Sequence, residues 1–425
     1  MDHFSYKNGE MFAENVSLKT IAREVGTPVY VYSTATLVRH FNVFSEAFSG
    51  LDALVCFAVK ANSNQAVLAT LAAEGAGADV VSEGELIRAL RAGIPAEKIV
   101  FSGVGKKPNE MAAALNAGIK QFNVESEPEL EVLDAVAGRL GLTAPVSVRV
   151  NPDVDAKTHH KIATGKSENK FGIAWSKAEG VYARIAELPN LRATGVDVHI
   201  GSQLTDLGPF KAAFEKVLGL VKRLRASGHT IDHIDLGGGL GIPYDPAQET
   251  PPSPGLYGAM IKQVLGDMDC SIILEPGRLI AGNAGILLSE LLYVKQGQGR
   301  TFYIVDAAMN DLVRPAMYDA YHAIQPVDEP QSEHTIKADF VGPVCESGDT
   351  FAKGRETPEM KPADLLVFKS AGAYGAVLSG TYNSRELVPE VLVNGDDYAV
   401  VRARPSLDDL IGLDAVPGWL SPTKD

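Results

Sequence analysis

The chain has 425 residues, 45% of them hydrophobic, which is enough to bury a substantial core in two domains or in one barrel with an appendage. Its formal net charge of -14 comes from acidic residues spread along the chain, and this argues against nucleic acids or anionic membranes as partners. The cysteines Cys56, Cys270 and Cys345 are too few and too scattered for a disulfide framework or a metal site, so we expect free thiols and no metal.

The N-terminal sequence bears on location. Residues 1–10 lack the basic start and apolar core of a signal peptide, and no later apolar run is long enough to span a membrane. We therefore expect a cytoplasmic protein.

After the first 30 residues, helix-period stretches alternate with short β-prone runs, a pattern typical of a parallel sheet built from βα units. The predicted strands are 53–59, 78–81, 99–102, 121–124, 146–150, 195–200, 233–236 and 271–275. Eight such strands close a (β/α)8 barrel of the TIM type. Predicted helices between them include 83–92, 128–137 and 210–225. Ser82 and Ser126 fit as N-caps, with Glu85 and Glu129 completing the capping-box pattern.

The alternation stops near residue 284, where short strands separated by glycine and proline begin. This change predicts a mostly antiparallel β domain. The predicted fold is therefore α/β, with a TIM-like (β/α)8 barrel over 31–282 and a second, mostly antiparallel β domain over 283–425. We interpret residues 1–30 as a lead-in segment that packs with the C-terminal β domain.

One lysine stands at the end of the first predicted strand, in the stretch Asp52–Asn62. Apolar surroundings disfavour the charged form of an amine, so we expect a lowered pKa for Lys60 and nucleophilic attack on an aldehyde. On this stretch alone, an ordinary lysine extending from a strand end is the alternative.

Polar and glycine residues also follow other predicted strands, at the end of a barrel where active sites form. They are Asp79 and Ser82, His199 with Gly201-Ser202-Gln203, Gly237-Gly238-Gly239, and Glu275-Pro276-Gly277-Arg278. Each of these features has another interpretation when it is taken singly. The glycines are consistent with a plain loop, His199 with a histidine of the core, and Glu275 with a salt bridge to Arg278. Together with Lys60 they suit pyridoxal phosphate: the amine reacts with its aldehyde, the imidazole stacks on its ring, glycines hold its phosphate and a carboxylate keeps its ring nitrogen protonated.

Seven motifs then carry a family resemblance over nearly the whole chain. They are Phe57–Asn62, Asp197–Gln203, Leu236–Gly239, Glu275–Arg278, Arg314–Tyr318, Gly342–Asp349 and Gly372–Tyr374. In this order they closely resemble the barrel-type, fold-type III pyridoxal-phosphate amino-acid decarboxylases, in their diaminopimelate-specific form.

The resemblance implies roles for individual residues. It makes Lys60 the residue bonded to pyridoxal phosphate and Cys345 the proton donor. The cofactor-binding set is Lys60, Asp79, His199, Ser202, Gly238, Gly239, Glu275, Gly277, Arg278 and Tyr374. The substrate-binding set is Arg278, Arg314, Tyr318, Glu346 and Tyr374, with the arginines and Tyr318 at the distal carboxylate and Glu346 at the distal amino group. It also implies a homodimer with active sites shared between subunits.

The activity that the resemblance implies is decarboxylation of meso-2,6-diaminopimelate to L-lysine and carbon dioxide, the last step of bacterial-type lysine biosynthesis. The nearest alternative is a decarboxylase of the same architecture that acts on ornithine, arginine or carboxynorspermidine. Glu346 after Cys345 favours the diaminopimelate form, because ornithine-type enzymes have Asp after this cysteine. A non-catalytic pyridoxal-phosphate carrier would lack the β domain with Cys345, Glu346 and Tyr374, and a racemase would need acid–base groups on both faces of Cα.

Overall fold

The structure is a computed structural model that describes residues 2–155, 164–165 and 170–420. The chain divides into two compact units. The first comprises residues 1–3, 33–285 and 370–377, and the second comprises residues 4–32, 286–369 and 378–425. Among the described residues, no helix combines the length and the apolar character needed to cross a membrane.

A closed barrel of parallel strands forms the first unit. Its strands are Ala53–Ala58, Gly77–Val80, Ile99–Phe101, Gln121–Val124, Ala144–Asn151, Leu191–Asp197, His233–Asp235 and Ser271–Leu274. Each pairs with the next along the chain, and the last pairs with the first to close the ring. Ile173–Ala174 adds a short parallel pairing beside the fifth strand. All eight predicted strands are confirmed, with ends that differ by a few residues.

Helices cover the outside of this barrel. They are Thr34–Glu46, Gln65–Ala73, Glu83–Arg91, Pro108–Ala117, Glu127–Leu140, Ala178–Glu187, Gly208–Ala226, Pro254–Leu265 and the short Arg278–Ala281. Ser82 and Ser126 are the predicted N-caps and accept the backbone N–H of Glu85 and Glu129 at 3.2 and 3.4 Å. The glutamates return their hydrogen bonds one residue further back than a capping box requires, to the N–H of Val81 and of residue 125.

The second unit is mostly antiparallel sheet, as the sequence predicts. Its strands are Phe4–Lys7, Glu10–Ala13, Val16–Ser17, Val29–Ser33, Gly285–Gly297, Arg300–Val305, Ile324–Pro326, Thr335–Val341, Thr350–Pro358, Leu365–Phe368, Glu390–Asn394 and Asp397–Arg402. Its helices are Leu18–Val25, Arg314–Tyr318 and Leu407–Ile411. Phe4, Met11 and Leu18 of the N-terminal segment are buried in one core with Ile286 and Val367. The predicted fold class is therefore confirmed, whereas the predicted domain limits stay a prediction.

Candidate active site

Lys60 lies in a short turn, Val59–Ala61, directly after the first barrel strand. Its Nζ donates to Oδ2 of Asp79 at 2.7 Å. Asp79 is buried, whereas the side chain of Lys60 is 38% exposed. Desolvation lowers the pKa of Lys60, but the charges of Asp79 and Glu275 and the hydroxyl of Tyr374 outweigh it, so that the pKa is raised well above its usual range. The prediction from the sequence that the pKa of Lys60 is lowered is therefore wrong.

His199 follows the sixth strand, and its ring has one defined tautomer. The backbone N–H of Gly238 donates to Nδ1 at 3.1 Å, so Nδ1 accepts and the ring proton is on Nε2. Burial, together with the positive charges of Arg149 and Lys60, holds the pKa of His199 well below its usual range. His199 is therefore a neutral, flat ring fixed by the glycine loop after the next strand.

That loop, Gly237-Gly238-Gly239, has no room for side chains. A Cβ on Gly238 would lie 2.2 Å from the carbonyl oxygen of Glu275, and one on Gly239 would lie 2.3 Å from that of Gly201. Gly239 also has a φ of +112°, which favours glycine. A backbone held this close to its neighbours can present N–H groups directly to a phosphate.

Glu275 directly follows the last barrel strand, and it is buried. Its Oε1 accepts from Nδ2 of Asn123 at 3.2 Å and from the hydroxyl of Ser102 at 3.4 Å. Burial and the nearby carboxyls of Asp235 and Asp79 raise the pKa of Glu275 well above its usual range. A partner that places positive charge beside Glu275 would favour its carboxylate form.

Arg278 joins Ser202 and Tyr374. Its Nη2 donates to the Ser202 hydroxyl at 3.0 Å and its Nη1 to the hydroxyl of Tyr244 at 2.8 Å. The guanidinium carbon also lies 4.7 Å from the centre of the Tyr374 ring. Tyr374 is held by its backbone N–H, which donates to the carbonyl of Ala61 beside the lysine at 2.8 Å.

These groups line one pocket at the mouth of the barrel. It is formed by Phe44, Ala58, Lys60, His199, Ser202, Gly237, Gly238, Gly239, Leu240, Tyr257, Glu275, Pro276, Gly277, Arg278, Leu279 and Tyr374. Every residue of the predicted cofactor-binding set lies there except Asp79, which reaches the pocket through its hydrogen bond to Lys60. The structure therefore assembles an amine, a neutral imidazole, a glycine loop and a carboxyl group at one site.

The remaining predicted site residues belong to the second unit. Arg314 and Tyr318 are the ends of one short helix, and Arg314 is buried, with Nη1 at 2.8 Å from Nε2 of His322. Nδ1 of His322 donates to the carbonyl of Lys369 at 2.8 Å, so its Nε2 accepts from the arginine. His322 therefore orients the guanidinium, a role that the sequence analysis did not identify.

Cys345 and Glu346 are exposed in a loop of the second unit. The backbone N–H of Cys345 donates to Oδ1 of Asn383 at 3.3 Å. Asp349 fixes the same loop, because its Oδ2 accepts the backbone N–H of Val344 at 2.7 Å. The thiol of Cys345 is therefore exposed on a loop whose backbone is fixed by hydrogen bonds.

The barrel interior also contains a polar network that was not predicted from the sequence. Gln121 and Asn123 are fully buried on the fourth strand and form hydrogen bonds toward the seventh and eighth strands. The available signal was their spacing of two residues, which places both side chains on the same face of a strand.

The family is established by comparison with known proteins. The profile of the pyridoxal-binding domain of pyridoxal-dependent decarboxylases matches residues 34–282. The chain belongs to the family of pyridoxal-dependent decarboxylases. The predicted enzyme class and cofactor, pyridoxal phosphate, are confirmed.

Within this family, the chain is similar to diaminopimelate decarboxylases. It is 51% identical to that of Zymomonas mobilis over 420 residues, which cover 98% of this chain and 99% of the relative. The Helicobacter pylori diaminopimelate decarboxylase complexed with L-lysine superposes with a TM-score of 0.90 and 42% identity, covering 93% of this chain and 99% of that one. For the M. jannaschii enzyme in co-complex with L-lysine, the TM-score is 0.94 at 36% identity, with 99% of both chains covered.

The geometry of the pocket fits pyridoxal phosphate. The tightly packed glycine loop suits a phosphate, and Lys60 opens into the same pocket to meet an aldehyde. A cationic ring nitrogen beside Glu275 would also offset the burial and the carboxyl charges that raise the pKa of Glu275.

Proposed function

We propose that the protein decarboxylates meso-2,6-diaminopimelate to L-lysine and carbon dioxide, the last step of bacterial-type lysine biosynthesis. The observation that carries this proposal is the single pocket that joins Lys60, the neutral His199, the glycine loop and Glu275. The similarity to diaminopimelate decarboxylases over nearly the full chain supports this choice of substrate.

In this proposal each residue of the first unit has a distinct task. Lys60 supplies the amine that anchors the cofactor, and Asp79 controls the charge of that amine. His199 offers its ring face, while Ser202 and the loop Gly237–Gly239 bind phosphate. Glu275 accepts a hydrogen bond from the ring nitrogen. When bound, pyridoxal phosphate supplies an electron sink for the electrons that the departing carboxylate leaves at Cα.

The second unit would recognise and protonate the substrate. Arg314 suits the distal carboxylate because its guanidinium is buried and oriented by His322. Glu346 would bind the distal amino group, and the thiol of Cys345 would give a proton to Cα after carbon dioxide leaves. Tyr318 of this unit and Tyr374 of the first unit would complete the substrate contacts.

Arg314 also distinguishes diaminopimelate from ornithine. A guanidinium pairs bidentately with a carboxylate, and diaminopimelate has a second carboxylate that ornithine lacks.

We further propose a cytoplasmic homodimer in which residues 31–282 and Tyr374 of one chain bind the cofactor and other residues of the 283–425 segment of the partner complete the site. Mixing Lys60→Ala and Cys345→Ala subunits tests this arrangement, because each variant alone lacks one essential group. Random pairing in a dimer with shared sites should restore about a quarter of the wild-type activity. Sites contained within one subunit would restore none.

The test of the proposed activity is carbon dioxide release from purified protein with pyridoxal phosphate, compared across meso-diaminopimelate, ornithine and arginine. We expect release from diaminopimelate alone, with lysine as the product. Lys60→Ala should abolish it, and normal turnover in that variant would contradict the scheme. Release from ornithine or arginine instead would keep the cofactor but overturn the roles of Arg314 and Glu346.

A further inference from the structure

A directional chain of hydrogen bonds runs through the barrel interior toward Glu275. It starts at His233, whose Nε2 is bonded to Oε1 of Gln121. An amide oxygen only accepts, so His233 donates and the orientation of the Gln121 amide is set. Nε2 of Gln121 in turn donates to Oδ1 of Asn123 at 2.7 Å.

Asn123 is therefore held with its amino group pointing at two carboxyls. Nδ2 lies 3.2 Å from Oε1 of Glu275 and 3.2 Å from Oδ2 of Asp235, with the Ser102 hydroxyl at 3.1 Å. Asn123 is fully buried and lies outside the pocket lining. It acts on the pocket only through the groups it touches.

The two carboxyl groups that Asn123 contacts lie close to each other and to a third. Asp197, Asp235 and Glu275 each have an oxygen within 4.8 Å of the others, and all three are buried. The charged or titratable groups around Glu275 are Lys60, Asp79, Arg149, Asp197, Asp235 and Cys56. Three buried carboxyls this close do not all ionise together, so the hydrogen bonds around them decide which one carries charge.

We propose that Asn123 is a positioning residue for the decarboxylase reaction, which holds the carboxyl group of Glu275 as an anion toward the ring nitrogen of the cofactor. A donor to Oε1 favours the carboxylate form, and without it the proton shared between Glu275 and the ring moves to Glu275. This inference rests on the proposed function, and it adds a residue that no part of the pocket lining would identify.

The test is Asn123→Leu, which keeps most of the volume and removes the donor. Holoenzyme is prepared with 15N-labelled pyridoxal phosphate, and the ring-nitrogen resonance is recorded at neutral pH. Loss of a hydrogen bond to a charged group should raise the ratio of unprotonated to protonated ring about 10-fold or more. We expect kcat to fall in proportion to the protonated fraction of the ring that the resonance reports, while KM for the substrate changes little, because Asn123 does not line the pocket.

Asn190→Leu is the matched control. Asn190 lies directly before the sixth strand, at the end of the barrel opposite the pocket, and its side chain donates a hydrogen bond to Asp134. Its resonance should coincide with that of the wild type. A wild-type resonance in Asn123→Leu would overturn the inference while leaving the proposed function intact. Wild-type protein that neither binds pyridoxal phosphate nor releases carbon dioxide would overturn the function itself. If Asn123→Leu does not fold, Asn123→Ala, which also removes the donor, takes its place with the same two outcomes.

Discussion

Nζ of Lys60 lies 2.7 Å from Oδ2 of Asp79, so the amine proposed to capture the cofactor is stored as an ammonium ion. The pairing follows from the sheet, because Ala58 of the first strand is in register with Asp79 of the second. Strand pairing thus places the carboxylate of Asp79 beside Lys60, because Lys60 lies two residues after Ala58, the strand partner of Asp79.

Asp79→Asn should lower the pKa of Lys60 and make capture of pyridoxal phosphate by the apoprotein faster at neutral pH. The reason is that the neutral amine is the nucleophile, and its fraction rises about 10-fold for each unit by which the pKa falls. Stopped-flow absorbance of the cofactor across pH measures the rate. Asp134→Asn, which removes a carboxylate far from Lys60, should leave the profile unchanged. Coincident profiles for Asp79→Asn and wild type would show that Asp79 does not control the amine.

Gly238→Ala should weaken cofactor binding, because its Cβ would lie 2.2 Å from the carbonyl oxygen of Glu275. The loop must move to relieve this overlap, at a cost of about 1–3 kcal/mol, and His199 loses the N–H that fixes its ring. We expect the dissociation constant of pyridoxal phosphate to rise about 10-fold, measured by fluorescence titration.

Gly180→Ala is the control for this change. Gly180 lies within the helix Ala178–Glu187 and has nothing within 4 Å of an added Cβ. Alanine there should stabilise the helix by about 0.5–1 kcal/mol and leave cofactor affinity as it was. Equal affinity in Gly238→Ala and wild type would mean that the loop does not bind the phosphate.

The sequence predicted the barrel well because its determinants are local: short apolar runs, glycine-rich turns and polar residues directly after each strand. The charge state of Lys60 was predicted wrongly because Asp79 is 19 residues away and only strand pairing brings it near. Likewise, Gln121 and Asn123 are two polar residues in a strand until closure of the barrel brings Asp235 and Glu275 to them.

Iodoacetamide should inactivate the enzyme through Cys345. This thiol is exposed, whereas Cys56 is buried, and burial raises the pKa of Cys270 to about 11, which leaves little reactive thiolate there. Mass spectrometry should find one labelled site at the point of full inactivation. Cys345→Ser should resist labelling and lose about 100-fold or more in kcat, as expected for loss of a proton donor.

Cys270→Ser serves as the comparison, since it should be inactivated at the wild-type rate. If labelling of Cys345 left turnover intact, the thiol would not be the proton donor. Inactivation that follows labelling of Cys270 would place the sensitive group elsewhere.

His233→Gln should reduce the fall in the free energy of unfolding that occurs in the wild type as the pH is lowered from about 6.5 to about 4. Burial, together with Lys120 and Arg192, lowers the pKa of His233 to about 4, below its value near 6.5 in the unfolded chain. Between these two pH values the unfolded state binds more protons than the folded state does. The free energy of unfolding therefore falls by up to about 3 kcal/mol as the pH is lowered from about 6.5 to about 4. Glutamine cannot titrate there and can still donate to Gln121.

Urea unfolding of wild type and variant at several pH values measures this effect as a difference, because neighbouring carboxyls contribute the same slope to both. His334→Gln is the control, since it makes the same substitution at an exposed histidine outside the barrel interior. Parallel curves for wild type and His233→Gln from pH 7 to pH 4 would mean that the pKa of His233 is the same in the folded barrel as in the unfolded chain. In that case Nε2 would still donate to Gln121, and the orientation of the chain toward Asn123 would be unchanged.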